Sequence, residues 1–221
     1  MRCSLLIYFQ TIIPTNIGYL PFRMFNPAYD EPGLTAGLLI LLAGLVYFPS
    51  IFIICQVVFR KTRVGQGWCH QFRISNNGIH DICNKIVSSI FAISSCTIGV
   101  LINRQCSGDI MHDRFMVLDN YMLFGASYFL YDSLSMYVVH NTLNKENLSI
   151  SIPEVKKFIK ENSLIVFHHT VVPLIMLLMS LRNGLGDCLI GTCLLIEAST
   201  PFVSIRVILV HLNLKVVRIT F

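Results

Sequence analysis

The sequence has little charge: 13% of its 221 residues are Asp, Glu, Lys or Arg, against roughly a quarter in a soluble domain. With 54% hydrophobic residues and a mean hydropathy of +0.64, this excludes a disordered chain, a small secreted module and an ordinary cytosolic enzyme. Several catalytic signatures are missing. There is no G-x-S-x-G elbow, P-loop or H-E-x-x-H, which excludes the standard serine hydrolases, nucleotide hydrolases and zincins. His70, His80, His112, His140 and His211 stand singly, so the clustered histidines of a di-iron lipid oxidase are absent. Eight cysteines occur without a C-x-x-C pair, and Cys55, Cys96 and Cys193 lie inside apolar runs, where they behave as small hydrophobes. No disulfide framework is expected. A zinc set from Cys69, His70, His80 and Cys83 matches no standard spacing, and no bound metal is expected. Internal repeats, heptads and low-complexity tracts are also absent.

What is present is a series of apolar runs. Leu34 to Phe59, Ile86 to Ile102, Met116 to Val139, Leu164 to Leu181 and Cys188 to Leu212 each approach the ~20 residues needed to cross a bilayer. They predict an all-α polytopic membrane bundle of about five spans. Lys and Arg collect in the loops after spans one and three: Arg60, Lys61, Arg63, Arg73 and Lys85, then Lys145, Lys156, Lys157 and Lys160. The opposite loops hold Arg104, Arg114 and Arg182. By the positive-inside rule, residues 1–33 are a poorly structured lumenal leader and the C-terminus is cytosolic. The net charge of +5 therefore reads as orientation, and no nucleic-acid partner is expected. The sequon Asn147-Leu148-Ser149 falls on the cytosolic side and should stay unglycosylated.

Ionisable groups at membrane depth cost ~2.5–3.5 kcal/mol and need partners or a cavity. Asp132, His168, His169 and Glu197 are such groups. Helical spacing puts Tyr121, Gly125, Tyr128, Asp132 and Ser135 on one face of the third span, a stripe that suits helix packing as well as a polar site. His168 and His169 precede Pro173, and Glu197 precedes Pro201, each so placed that the proline removes the helical hydrogen bond to the carbonyl of His169 or of Glu197. Ser199, Thr200 and Ser204 cluster around the second proline. Imidazole serves as base or acyl acceptor, and a carboxylate orients it. The third, fourth and fifth spans are expected to surround a lipid-accessible cavity that carries this set.

The blocks Leu41-Leu42-Ala43-Gly44, Tyr47-Phe48-Pro49, Ile86-Val87-Ser88-Ser89, Tyr131-Asp132-Ser133, His168-His169, Leu185-Gly186-Asp187 and Ser199-Thr200-Pro201-Phe202 resemble the TLC-domain family, which includes the Lag-type ceramide synthases. The likeness is strongest to the TLC domain-containing protein 3 subgroup and covers most of residues 35–212, which implies a TLC-like transmembrane domain over residues 34–221. It implies a sphingolipid or lipid-homeostasis protein of the endoplasmic reticulum or Golgi, with the plasma membrane as a further location. It also implies N-acylation of a sphingoid base, with acyl-CoA as co-substrate and no bound cofactor. His168 and His169 would then be catalytic, and Asp132, Glu197, Tyr128, Tyr131 and Ser199 would form a supporting polar cavity. Implied partners are membrane lipids, the sphingoid base, acyl-CoA and related membrane proteins in homo- or hetero-oligomers. The family's acidic element after the His pair is not found, and Phe91 stands where relatives carry a second-span His. A non-catalytic lipid sensor, carrier or regulator is the alternative. The chain ends soon after the fifth span, where the family continues through more membrane helices, so the resemblance implies a C-terminally truncated domain.

Overall fold

A computed structural model describes residues 33–106, 109–144, 152–180 and 185–212. The leader, the sequon and the region around Arg182 fall outside these. Among the described residues the structure is helical, with no strand: α1 (Leu34–Lys61), α2 (Arg63–Gln71), α3 (Asn76–Gln105), α4 (Met116–Asn144), α5 (Ile152–Glu161), α6 (Ser163–Ser180), α7 (Asp187–Leu194), a 3-10 turn (Leu195–Ser199) and α8 (Thr200–His211). Four stretches, Thr35–Lys61, Asn76–Gln105, Ser163–Ser180 and Asp187–His211, are long and apolar enough to cross a membrane. Large apolar residues are exposed along these helices, among them Leu39, Ile54, Leu164 and Phe202, as lipid-facing surfaces require.

Local chemistry sets the boundaries. α1 closes on Arg60 and Lys61, cations at the negative end of its dipole. Thr62 then caps α2 by accepting from the Gly65 amide at 3.0 Å, and Ser75 caps α3 by accepting from the Gly78 amide at 3.0 Å. The second span therefore begins at Asn76, ten residues ahead of the apolar run that announced it.

The third expected span is the 29-residue α4, about 44 Å of helix and ample for a bilayer, yet it is not among the four apolar stretches. Its packing accounts for this. α1, α3 and α6 all lie against α4, and its inward stripe of Tyr121, Gly125, Tyr128, Asp132 and Ser135 is entirely buried. A helix enclosed by others needs less apolar surface than one facing lipid. Close approach to α1 depends on Gly44, where a Cβ would stand 2.8 Å from the Phe124 carbonyl oxygen. The core is largely aromatic: Phe48 edges Phe91 and Tyr128, while Phe91 and Tyr128 stack with centroids 3.9 Å apart.

Three expectations are corrected here. The fifth span is not one regular helix but α7 and α8 joined by a 3-10 turn, and the Glu197 carbonyl, expected to be free, accepts the Thr200 amide as that turn closes. α7, the turn and α8 pack against α3, so the second span rather than the fourth is the fifth span's main neighbour. Contact is tight there because Gly99 and Gly191 meet across the interface, a Cβ at Gly99 falling 2.6 Å from the Gly191 carbonyl oxygen. The cysteines, expected to form no disulfide framework, supply one bridge, Cys106–Cys188. It joins the end of α3 to the start of α7, on the side that the Lys and Arg distribution assigns to the oxidising lumen.

Candidate functional site

α3, α4 and α6 bring together the polar groups of the bundle. Asp132 is buried on α4, and its Oδ1 accepts from Asn84 Nδ2 of α3 at 2.9 Å. Its Oδ2 lies 3.4 Å from His169 Nδ1 of α6, an ion-pair distance without hydrogen-bond alignment, so Nδ1 is buried with no hydrogen-bond partner. Asn84 Oδ1 accepts from the Tyr131 hydroxyl at 3.0 Å and the Ser135 hydroxyl at 2.9 Å. Because Tyr131 and Ser135 are four apart on α4, both hydroxyls converge on this amide, fixing which end donates to Asp132.

Asn84 was not anticipated. It lies among Asn76, Asn77, His80, Asp81 and Lys85, which read as a polar loop, and only the two hydroxyls four residues apart on α4 hinted at a facing acceptor.

The expected site residues divide. Asp132, Tyr131, Tyr128 and His169 gather around α4: Tyr128 is buried in the stack with Phe91, and His169 sets its ring against Phe129 with centroids 5.3 Å apart. Phe91, where a His was expected from relatives, occupies the space beside Tyr128 with an aromatic ring. His168 is exposed, touching Phe129 and His169 edgewise. Adjacent residues on a helix diverge by about 100°, and only His169 turns toward the carboxylate. Glu197 and Ser199 lie on the 3-10 turn, which packs against α3. Glu197 accepts from the Thr200 hydroxyl at 2.9 Å, and the exposed Ser199 hydroxyl donates to the Ile196 carbonyl. The Asn84–Asp132–His169 set therefore lies between spans two, three and four, with the fifth span packed on span two.

A cleft of about 150 Å³ opens beside this network, lined by Phe52, His80, Tyr131 and Ser135, with Leu134, Val138 and Val139 on its apolar side. Asn84 is the ninth residue of α3, about 12 Å along the helix from its first residue, so the polar set sits nearer the end of the bundle where α1 closes on Arg60 and Lys61.

A model of the TLC domain, shared by the TRAM, LAG1 and CLN8 proteins, matches residues 81–221. The chain belongs to the TLC-domain family. The match begins at Asp81, so Asn84, Asp132 and His169 all fall inside the TLC domain, whereas α1 lies before it. No solved structure matches the chain.

Among the described residues, the one cluster with metal-ligand spacing is Cys106, Asp113 and Cys188, where the end of α3 meets the start of α7, its atoms within 4.8 Å. Joined as a disulfide, the two sulfurs offer no thiolate to a metal. The neighbouring turn is held by the Phe115 amide donating to Asp187 Oδ2 at 2.8 Å and the Gly186 amide donating to the Met111 carbonyl at 2.8 Å. In that turn, the His112 ring beside Asp109 holds the Asp109 carboxyl below its ordinary range, with help from the His112 and Met111 amides.

Proposed function

We propose that this TLC-domain membrane protein transfers an acyl group from acyl-CoA to the amine of a sphingoid base in the endoplasmic reticulum or Golgi membrane. The observation that carries the reading is the approach of His169 Nδ1 to the buried Asp132 carboxylate. A small rotation would align Nδ1–H with Oδ2, which fixes the tautomer and leaves Nε2 as proton acceptor. Asn84, by holding Oδ1, keeps the other oxygen aimed at the ring. In the reaction the amine nitrogen bonds to the thioester carbonyl carbon, His169 takes the amine proton, the carbon–sulfur bond breaks, and the thiolate leaves and is protonated. His168, exposed beside the pair, contributes to substrate contact rather than to proton transfer.

A second reading has its own support. Phe91 and Tyr128 stack tightly beside the pair, and aromatic filling of this kind suits a lipid-binding regulator that carries out no chemistry. Microsomes containing the protein, incubated with labelled acyl-CoA and a sphingoid base and read by mass spectrometry, distinguish the two. Ceramide formation that disappears in His169→Ala at unchanged protein level supports the enzyme. Saturable lipid binding without turnover supports the regulator and overturns the transferase.

A further inference from the structure

Between Glu31 and Asp81 the chain has no acidic residue, yet it carries Arg60, Lys61, Arg63 and Arg73. Two of these cations border a groove. It runs along the cytosolic end of α1, has a volume of about 210 Å³, and places Ile53 and Val57 below Arg60 and Lys61. The apolar residues are open to lipid, Ile53 at 58% and Val57 at 43% exposure. Phe52 is shared with the 150 Å³ cleft whose apolar wall is Leu134 and Val138. Two apolar grooves therefore meet at one ring beneath one pair of cations.

The bonding of Arg60 leaves its charge uncompensated. Its Nη2 lies 2.8 Å from His80 Nε2, and since a guanidinium only donates, that nitrogen is the acceptor and the imidazole is neutral. The other ring nitrogen must then donate to Gln56, which puts the amide oxygen rather than its nitrogen at that contact. Among the described residues Arg60 has no carboxylate partner and Lys61 has no ion pair. α2 folds back over this end, with Gln66 Nε2 donating to the Arg60 carbonyl at 2.8 Å. It exposes Val64 and Trp68, an apolar pair four apart beside basic residues, as in a helix lying in the headgroup layer.

We propose that this corner binds one anionic diacyl phospholipid of the cytosolic leaflet, its phosphate between Arg60 and Lys61 and its two chains in the grooves on either side of Phe52. The paired grooves favour a two-chain lipid over a single-chain thioester, and the absence of acid over the preceding segment favours an anion over a zwitterion. One of the two grooves borders the Asn84–Asp132 network through Tyr131 and Ser135, but the phosphate site at Arg60 and Lys61 does not rest on the acyltransferase reading.

Trp68 is the chain's one tryptophan and stands beside the site, so it reports directly. The full chain in phosphatidylcholine nanodiscs is doped with a trace of dansyl-phosphatidylserine or of dansyl-phosphatidylcholine, and energy transfer from Trp68 is measured. Transfer should favour the serine lipid, and Lys61→Gln should cut that preference about fivefold, the worth of one cation near a lipid surface. Arg63→Gln, equally basic but outside the groove, should leave most of it. Equal transfer to both lipids overturns the proposal. So do equal losses in Lys61→Gln and Arg63→Gln, which would mean diffuse surface charge. Displacement of the signal by soluble coenzyme A also overturns it, since the phosphates of a soluble nucleotide would then be the ligand. Among the described residues Lys61 has no ion pair to lose, which keeps the test decisive even where Arg60→Gln disturbs His80.

Discussion

Asn84→Ala should destabilise the protein more than removal of any other polar side chain near the His pair. The Asn84 amide donates to Asp132 and accepts from Tyr131 and Ser135, all within 3.0 Å, and the residue is 2% exposed. The bond to the carboxylate is worth about 1.5–3 kcal/mol and each hydroxyl bond about 0.5–1.5 kcal/mol, while the hydroxyls can partly re-aim. The net cost is ~3 kcal/mol, or roughly 6–12 °C in Tm at this chain length. Cys83, a free thiol with 0% exposure, supplies the assay: once the accessible thiols, Cys193 among them, are blocked in the folded protein with N-ethylmaleimide, a fluorogenic maleimide reacts with Cys83 as the detergent-solubilised bundle opens on heating. Asn84→Leu separates hydrogen bonding from volume, because it fills the space and still strands the same three groups. Full stability in Asn84→Leu would refute the reasoning. Paired with Asp132→Ala, the Asn84 substitution should show a coupling of about 1–2 kcal/mol, and additivity within ~0.5 kcal/mol would mean that the two side chains do not act together.

Asp132→Ala should lower steady-state abundance, by stranding Asn84 Nδ2 at a cost of about 1–3 kcal/mol; Glu197→Ala, which loses only a Thr200 contact, should leave abundance near the parent level, as quantitative immunoblotting would show. His169→Ala should abolish acyl-CoA-dependent ceramide formation and His168→Ala should reduce it only in part, so identical losses in the two would contradict the orientation of the pair. Cys69 should label with a membrane-impermeant maleimide from the cytosolic side, while Cys106 should resist labelling from either side until reduced; ready labelling of Cys106 in unreduced membranes would deny the bridge. Gly44→Ala should lower Tm by several degrees, since the added methyl meets the Phe124 carbonyl oxygen and the Ser127 Cβ and hydroxyl, each at 2.8 Å, overpacking that costs about 1–3 kcal/mol.

Much of the bundle was legible because apolar runs are long and lipid rewards them. The inward stripe of α4 was equally plain, since its five positions differ from their neighbours in size and polarity at helical spacing. Other features left no trace in local pattern. α3 carries its polar first turns beyond the apolar run, so Asn84 looked like loop. Cys106 and Cys188 are 82 residues apart, a separation with no spacing signature. Periodicity shows which face of the fifth span is polar but not which helix meets it, and the turn that carries Glu197 packs on α3. Pro201 removes an i+4 donor as expected, but a 3-10 turn supplies the Glu197 carbonyl with an i+3 donor instead.

The Cys106–Cys188 bond makes a closed covalent ring of everything between the two cysteines, so α4, α5 and α6 are carried on a loop whose ends cannot part. A protease that cuts the chain once inside that ring produces two pieces that still migrate as one until a reductant is added. The helices bearing Asp132 and His169 would thus stay tethered to α3 after a cut that, in an unbridged chain, would let them go.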